Sequence, residues 1–244
     1  MSFQGSGGAY STASSAVVTV YPFTVGIWYR DTAASSGLWR IYNSSNGFNE
    51  YFLIETGNGT PSIQQGSGGL TNTASVTSVG AASQWQFLIA RFIAANNVKG
   101  AQWNAETGTI GHGSATTFSV TPSGVNTTEL GRASSVLNGQ MQDYWLAPLD
   151  IQAGGAQLNN DLLLQLGRFG PFSVPYIAEN IVDYRSLRQD QNSDFGEEGS
   201  NATKGRSRQS HAPTGAAWTV DVGQECPYAR NWVRPLDRSR IGLV

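Results

Sequence analysis

Charge is scarce in this chain. Only 13% of its 244 residues are Asp, Glu, Lys or Arg, against about 25% in a typical soluble domain, and lysine occurs only as Lys99 and Lys204. The net charge of −2 and pI near 5.7 supply no positive field to draw in a polyanion. Nucleic acid is therefore not an expected partner. Cysteine is almost absent: Cys226 stands alone, which rules out an intramolecular disulfide and any multi-cysteine metal site, and leaves an unreactive thiol as the plain reading. Long hydrophobic runs are also missing. The longest apolar run in a helical setting, near Leu162 to Leu166, falls far short of the roughly 18 to 20 residues that cross a bilayer. The opening Met1-Ser-Phe-Gln-Gly-Ser-Gly-Gly has neither a basic start nor a continuous apolar segment. It does not read as a secretory signal, so synthesis in the cytoplasm without membrane insertion is expected.

Small and aromatic residues fill the gap. Glycine numbers 29, beside 7 Trp, 9 Tyr and 10 Phe, a mixture suited to short strands separated by tight turns. In Phe23-Thr-Val-Gly-Ile-Trp-Tyr, positions Phe23, Val25, Ile27 and Tyr29 fall on one strand face and Thr24, Gly26, Trp28 and Arg30 on the other. Further strands are expected at Leu38 to Tyr42, Glu50 to Glu55, Trp85 to Ile93, Gly100 to Trp103, Thr116 to Val120, Glu129 to Arg132 and Gln140 to Ala147. The run from Trp85 to Ile93 is apolar on both sides except at Gln86 and Arg91, which suits a central strand covered on both faces. Residues 56 to 83 are almost wholly small and polar and read as edge strands or surface loops. Many short strands with turns between them indicate an all-β antiparallel sandwich, a jelly roll, of one domain.

Beyond Pro148 the periodicity changes. Leu158, Leu162, Leu166 and Phe169 recur at spacings of four and three, with Asn159 or Asn160 as a cap and Gly167, Gly170 and Pro171 as stops, which describes one short amphipathic helix. Residues 174 to 184 fit a helix or a strand. From about Arg185 the chain is polar, and 20 of the 32 charged residues lie in positions 156 to 244. Isolated apolar residues such as Trp218 and Tyr228 mark it as an arm that orders against its own sandwich or a neighbour. The expected organisation is a flexible segment at 1–15, a sandwich at 16–184 and an arm at 185–244. Arg230, Trp232, Arg234, Leu236, Arg238 and Arg240 mix guanidinium groups with apolar anchors and are the candidate partner-binding residues.

Catalytic constellations are thin. Glycoside hydrolysis usually needs two facing carboxylates, and the acids from 16 to 155 are Asp31, Glu50, Glu55, Glu106, Glu129, Asp143 and Asp150. None makes a closely spaced pair on one strand face, and Glu50 and Glu55, five apart, point to opposite faces. With His112 and His211 alone and no Gly-x-Ser-x-Gly elbow, a Ser-His-Asp site has little to draw on. His112 sits in a glycine-rich turn. No metal cofactor is expected, although Asp31 or Asn46, Asn49 and Glu50 could hold calcium if distant loops converged. Asp194-Phe-Gly has none of the lysine or loop partners of a kinase signature. The glycosylation-type sequences at Asn43, Asn58, Asn126 and Asn201 read as turn chemistry. Trp28, Trp39, Tyr42, Trp103 and Tyr144 could stack on sugar rings or fill the core, and burial is the commoner fate.

Three stretches resemble the concanavalin A-like, laminin-G-like jelly roll: Thr24-Val-Gly-Ile-Trp-Tyr-Arg, Trp85-Gln-Phe-Leu-Ile-Ala-Arg-Phe, and Glu129-Leu-Gly-Arg through Gly139-Gln-Met-Gln-Asp-Tyr-Trp-Leu-Ala-Pro-Leu. The resemblance covers about residues 16 to 170 and implies the sandwich fold. It spans lectins, glucanases and adhesion modules, and this chain departs from the catalytic branch by lacking its acidic triplet. The descent into Leu162-Leu-Leu-Gln-Leu-Gly-Arg-Phe-Gly-Pro-Phe is similar to laminin-G-like virion components of tailed bacteriophages. The resemblance implies a non-enzymatic virion protein, a capsid decoration, cement or fibre-associated component, that contacts other virion proteins and copies of itself through its sandwich and arm. The alternative is a lectin-like module that binds a glycan. A hydrolase ranks last.

Overall fold

The computed structural model describes residues 2–5, 10–13, 16–32, 36–46, 49–57, 59–80, 82–115, 118–135, 137–185, 212–214 and 219–221. In chain order the elements are β1 (Ser2–Gly5), β2 (Tyr10–Ala13), β3 (Phe23–Asp31), β4 (Ser36–Tyr42), β5 (Glu50–Gly57), β6 (Thr60–Ser67), β7 (Leu70–Ser75), β8 (Gln86–Ala94), β9 (Asn97–Asn104), β10 (Ile110–Ala115), β11 (Thr127–Leu130), β12 (Gly139–Ala147), α1 (Asn160–Phe169), the single-turn helix α2 (Pro175–Ala178), β13 (Asp183–Arg185), β14 (Ala212–Thr214) and β15 (Thr219–Asp221). They form two antiparallel sheets. Sheet A runs β10-β9-β8-β3-β12-β1-β15, with β13 also on β12, and sheet B runs β14-β2-β11-β4-β5-β6-β7. This is the all-β sandwich that the period-two runs imply.

The alternation in β3 decides which side chains meet. Phe23, Val25, Ile27 and Tyr29 enter the core between the sheets, where they join Trp39, Ile41, Phe52, Ile54 and Ile63 from sheet B. Phe23, Phe52 and Phe92 are the centre of this core, with ring centroids 4.7 to 5.3 Å apart, a geometry that adds about 0.5–1.5 kcal/mol per pair beyond burial. Trp28, one residue out of phase, points to the other side of sheet A and joins a second core with Phe87, Ile89, Trp103 and Trp145. Strand β8 feeds both cores, Leu88, Ala90 and Phe92 inward and Phe87 and Ile89 outward, and lies between β9 and β3 in the sheet.

The second core is roofed by residues 148–184. Asn159 caps α1, its side chain accepting from the Asp161 N–H at 2.7 Å, and the helix lays Leu163 and Leu166 on the tryptophans. Gly167 lies flat on Trp103, because a Cβ there would sit 2.8 Å from the indole, and its carbonyl accepts from the Trp28 indole N–H at 3.2 Å. The ambiguous stretch at 174 to 184 resolves into both elements, α2 and β13. Arg91, the one charged residue in β8, pins the start of the roof: its guanidinium reaches Asp150 Oδ1 at 2.5 and 2.7 Å and donates to the carbonyls of Gln152 at 2.8 Å and Ala156 at 2.7 Å.

One expectation differs from the structure. The strand expected at Thr116 to Val120 lies instead at Ile110–Ala115. Gly111 and Gly113, which read as turn residues, are strand residues that let β10 press against the chain leaving β7, since a Cβ on either would meet the carbonyl oxygen of Thr77 or Ser75 at 2.2 Å. Residues 2–5 and 10–13 form β1 and β2, whose ladders are made of backbone groups that composition does not report. The polar arm supplies β14 and β15, which pair with β2 and β1 at the outer edges of the two sheets. Ser2 faces Asp221 and Tyr10 faces Thr214, so the two pairings share one register to within a single residue. No helix among the described residues is long and apolar enough to cross a membrane.

Arg91→Ala leaves Asp150 and two carbonyls facing an apolar gap under the roof. The expected loss is about 3–5 kcal/mol in urea unfolding followed by tryptophan fluorescence; a loss under about 1 kcal/mol would show that the roof is held by its apolar contacts alone.

Candidate functional site: the open face of sheet B

With the central strands of sheet A, β8, β3 and β12, covered on both sides, the outer face of sheet B is the broad β-surface left polar among the described residues. The alternation that sends Phe52 and Ile54 inward sends Tyr51, Leu53 and Glu55 outward on β5, and Arg40 and Tyr42 do the same on β4. Register places Tyr42 directly opposite Tyr51, and Arg40 between Leu53 and Glu129. Cross-strand neighbours of this kind have Cβ atoms about 4.5–5.5 Å apart. The two side chains start as neighbours and lean apart, Tyr42 toward Glu129 of β11 and Tyr51 over β6 toward Thr71 of β7, each partly exposed.

Each tyrosine is held in place by its neighbours. Tyr51 lies across Gly66 of β6, because a Cβ on Gly66 would fall 2.3 Å from two carbons of the ring, and its hydroxyl is 2.9 Å from Thr71 Oγ1. A ring laid on backbone in this way turns its other face to solvent. Tyr42 is stacked by the Arg40 guanidinium, whose central carbon is 4.3 Å from the ring centroid, and donates to Glu129 Oε1 at 3.1 Å. Burial, and then the Glu129 charge, push the Tyr42 phenol above its usual value, so it is protonated at neutral pH. Arg40 donates to Glu129 Oε2 and, at 2.7 Å, to the Ala133 carbonyl. Arg132 lies 3.9 Å from the same carboxylate. Beside them Gln64 donates to Glu55 Oε1 at 2.8 Å and to Ser62 at 2.9 Å, and the Ser134 hydroxyl donates to Glu55 Oε2. The result is a flat field of hydroxyl, amide and phenol groups fixed by their own hydrogen bonds.

Of the five aromatics that could have stacked on sugars, Trp28, Trp39, Trp103 and Tyr144 are core residues; Tyr42 alone reaches this face. Tyr51 was not among them. Its outward direction is legible from the Phe52 and Ile54 alternation, but Gly66 becomes its support only through strand register.

The two calcium candidates lie at opposite ends of β5. Glu50, at its start, already accepts from the Ser67 hydroxyl at 2.9 Å and the Ser123 N–H at 2.8 Å, and Asn49 donates to Asn46 at 3.1 Å. Asn43 and Asn126 close the adjoining turns, their side-chain oxygens accepting from Ser45 and Ser44. Asp31 is fully buried near the other end. Its Oδ2 accepts from the Thr56 hydroxyl at 3.0 Å and the Gly59 N–H at 3.1 Å, while its Oδ1 and the neighbouring Gln102 Oε1 have no hydrogen-bond partner among the described residues. Among the described residues no three His, Cys, Asp or Glu side chains gather as metal ligands. His112 borders a pocket of about 190 Å3 with Lys99, Ser114 and Gln157, its Nε2 2.8 Å from Asn160 Oδ1. Arg230, Trp232, Arg234, Leu236, Arg238 and Arg240, with Cys226, His211 and Asp194, lie outside the described residues.

The architecture is an all-β sandwich of two antiparallel sheets. No family model and no curated protein matches the sequence. Among solved structures, the chain is similar to the LG1-3 region of the laminin alpha2 chain over 59% of its length, at TM-score 0.48 and 12% identity. It is similar to the enzymatically active domain of bacteriophage CBA120 tailspike protein 2 over 68%, at TM-score 0.48 and 13% identity. It is similar to CBM40 of the Ruminococcus gnavus IT-sialidase, bound to alpha2,3 sialyllactose, over 67%, at TM-score 0.43 and 14% identity. The matches take in 30%, 26% and 95% of those chains, so this chain spans less than a third of the first two. These are likenesses of strand arrangement and say nothing of what the open face binds.

Burial drives the Asp31 carboxyl above its ordinary range, against the opposing bonds from Gly59 and Thr56. Its contribution to stability is therefore complete below the unfolded value near about pH 3.9 and is lost as pH rises through the folded value. Asp31→Asn keeps an acceptor for Thr56 and Gly59 without the buried charge. It is expected to raise the melting temperature at pH 7 and leave it unchanged at about pH 3; an unchanged or lower melting temperature at pH 7 would mean that the ionised carboxylate is stabilising.

Proposed function

We propose that this protein is a non-catalytic binding module that takes a glycan on the outer face of sheet B, and that it serves a bacteriophage particle as a fibre-associated or decoration protein. The observation that carries the glycan reading is Tyr51 laid on Gly66, with Tyr42 as its cross-strand neighbour, two partly exposed aromatic rings on a polar sheet face. A pyranose ring has apolar C–H faces and a rim of hydroxyls. Aromatic faces match the first, and fixed amides, hydroxyls and carboxylates match the second.

The non-catalytic part of the proposal is supported by how the two carboxylates of this face are engaged. Glu129 is clasped by Arg40 and Tyr42, and Glu55 by Gln64 and Ser134, whereas a glycosidase acid or nucleophile must meet the sugar directly. The placement in a virion rests on the resemblance of Leu162-Leu-Leu-Gln-Leu-Gly-Arg-Phe-Gly-Pro-Phe to laminin-G-like virion components.

A second role, attachment to neighbouring subunits through the C-terminal arm, is favoured by one observation. The arm supplies an edge strand to each sheet, and edge strands exchange or accept partners by backbone pairing alone. The two roles are compatible, since the arm and the open face use different parts of the sandwich.

The test is a glycan array probed with the full chain, followed by titration of the best hit. Tyr51→Ala and Gly66→Val are each expected to weaken binding about tenfold or more, a difference of about 1.4 kcal/mol, with little change in melting temperature for Tyr51→Ala. Unchanged affinity in both variants would remove the glycan site from this face.

A further inference from the structure

The charge pattern of the open face narrows the ligand class; this inference rests on the glycan reading above. Among the described residues four charged side chains serve the face, Arg40, Arg132, Glu55 and Glu129, two of each sign. Arg40 is 4% exposed, and its N–H groups are directed at Glu129 and at the Ala133 carbonyl rather than outward. Arg132 is the more exposed guanidinium, its side chain at 33%, and it lies within 3.9 Å of the Glu129 carboxylate. Glu55 faces the amide of Gln64 and the hydroxyl of Ser134. An acidic sugar needs a cation whose donors point at its carboxylate, and turning Arg40 outward would break three contacts and leave Glu129 buried without its partner. An uncharged sugar needs no such rearrangement. Its hydroxyls meet donors and acceptors that are already fixed, and its C–H faces meet Tyr42 and Tyr51.

We infer that the open face of sheet B recognises an uncharged glycan, a chain of neutral hexoses or N-acetylhexosamines, and discriminates against uronic and sialic acids. Because no ion pair forms with the ligand, affinity is insensitive to salt, unlike contacts between exposed charges, which are screened within about 10 Å at 0.1 M salt.

The experiment is isothermal titration of the full chain with neutral oligosaccharides (gluco-, galacto- and N-acetylglucosamine series) and acidic ones (oligogalacturonate and sialyllactose), each at about 0.05 and 0.5 M NaCl. Expected is binding to at least one neutral series, with Kd changing less than about twofold between the two salts and rising about tenfold in Tyr51→Ala. Preferential binding of an acidic series, with a Kd that rises steeply with salt and is lost in Arg132→Ala, would overturn this inference and leave the glycan reading standing. Binding to neither class overturns both. Binding to a neutral series that is indifferent to Tyr51→Ala overturns the site while leaving a lectin-like role.

Discussion

The two-sided burial of the central strands of sheet A is the constraint from which the rest of the molecule follows. A strand covered on both faces carries apolar residues on both, and β8, apart from Gln86 and Arg91, does so, sending Leu88, Ala90 and Phe92 one way and Phe87 and Ile89 the other. The outward set, with Trp28, Trp103 and Trp145, is too large an apolar surface to leave in water, so residues 148–184 fold over it. Space under that roof is close: Gly26 is there because a Cβ would lie 2.2 Å from the Trp145 indole. With the central strands of sheet A closed above and below, recognition by a broad β-surface falls to sheet B.

Sheet B meets the opposite condition. Its inner residues complete the core between the sheets, and its outer face carries the buried Arg40, Leu53 and Glu129 beside the partly exposed Tyr42, Tyr51, Glu55 and Gln64, the polar groups fixed by one another. Arg40, Tyr42, Arg132 and Glu129 form one cluster, Glu55, Gln64, Ser62 and Ser134 a second, and Tyr51, Gly66 and Thr71 a third. Groups already held in place lose little freedom when a ligand arrives, and that saving is a large part of what separates a useful binding face from a merely polar one.

Much of the fold was legible because alternation is a strong signal wherever one face is buried. Phe23, Val25, Ile27 and Tyr29 announced the inner face of β3, and the unbroken apolar run after Trp85 announced a central strand. The leucine spacing and Asn159 announced α1. What the sequence did not disclose depended on neighbours distant along the chain. Gly111 and Gly113 look like turn residues until the strand beside them leaves no room for a Cβ. Residues 2–5 and 10–13 join sheets through backbone pairing that small side chains do not advertise. At the site, Tyr42 was one of five aromatics for which burial was the commoner expectation, and Tyr51 was not among them because its support, Gly66, comes from a different strand. The tryptophans among the described residues, the more obvious sugar platforms, were taken by the two cores.

Amide hydrogen exchange measured with and without a saturating neutral oligosaccharide tests the central claim most directly, because it reports where on the sandwich a ligand settles. Added protection concentrated in β4, β5 and β6, at residues 39–42, 51–55 and 62–67, is the result expected of an open face that binds through Tyr42 and Tyr51. Protection confined to the loops around residues 43–49 and 120–126, or to the roof at 148–184, with sheet B unchanged, would contradict it.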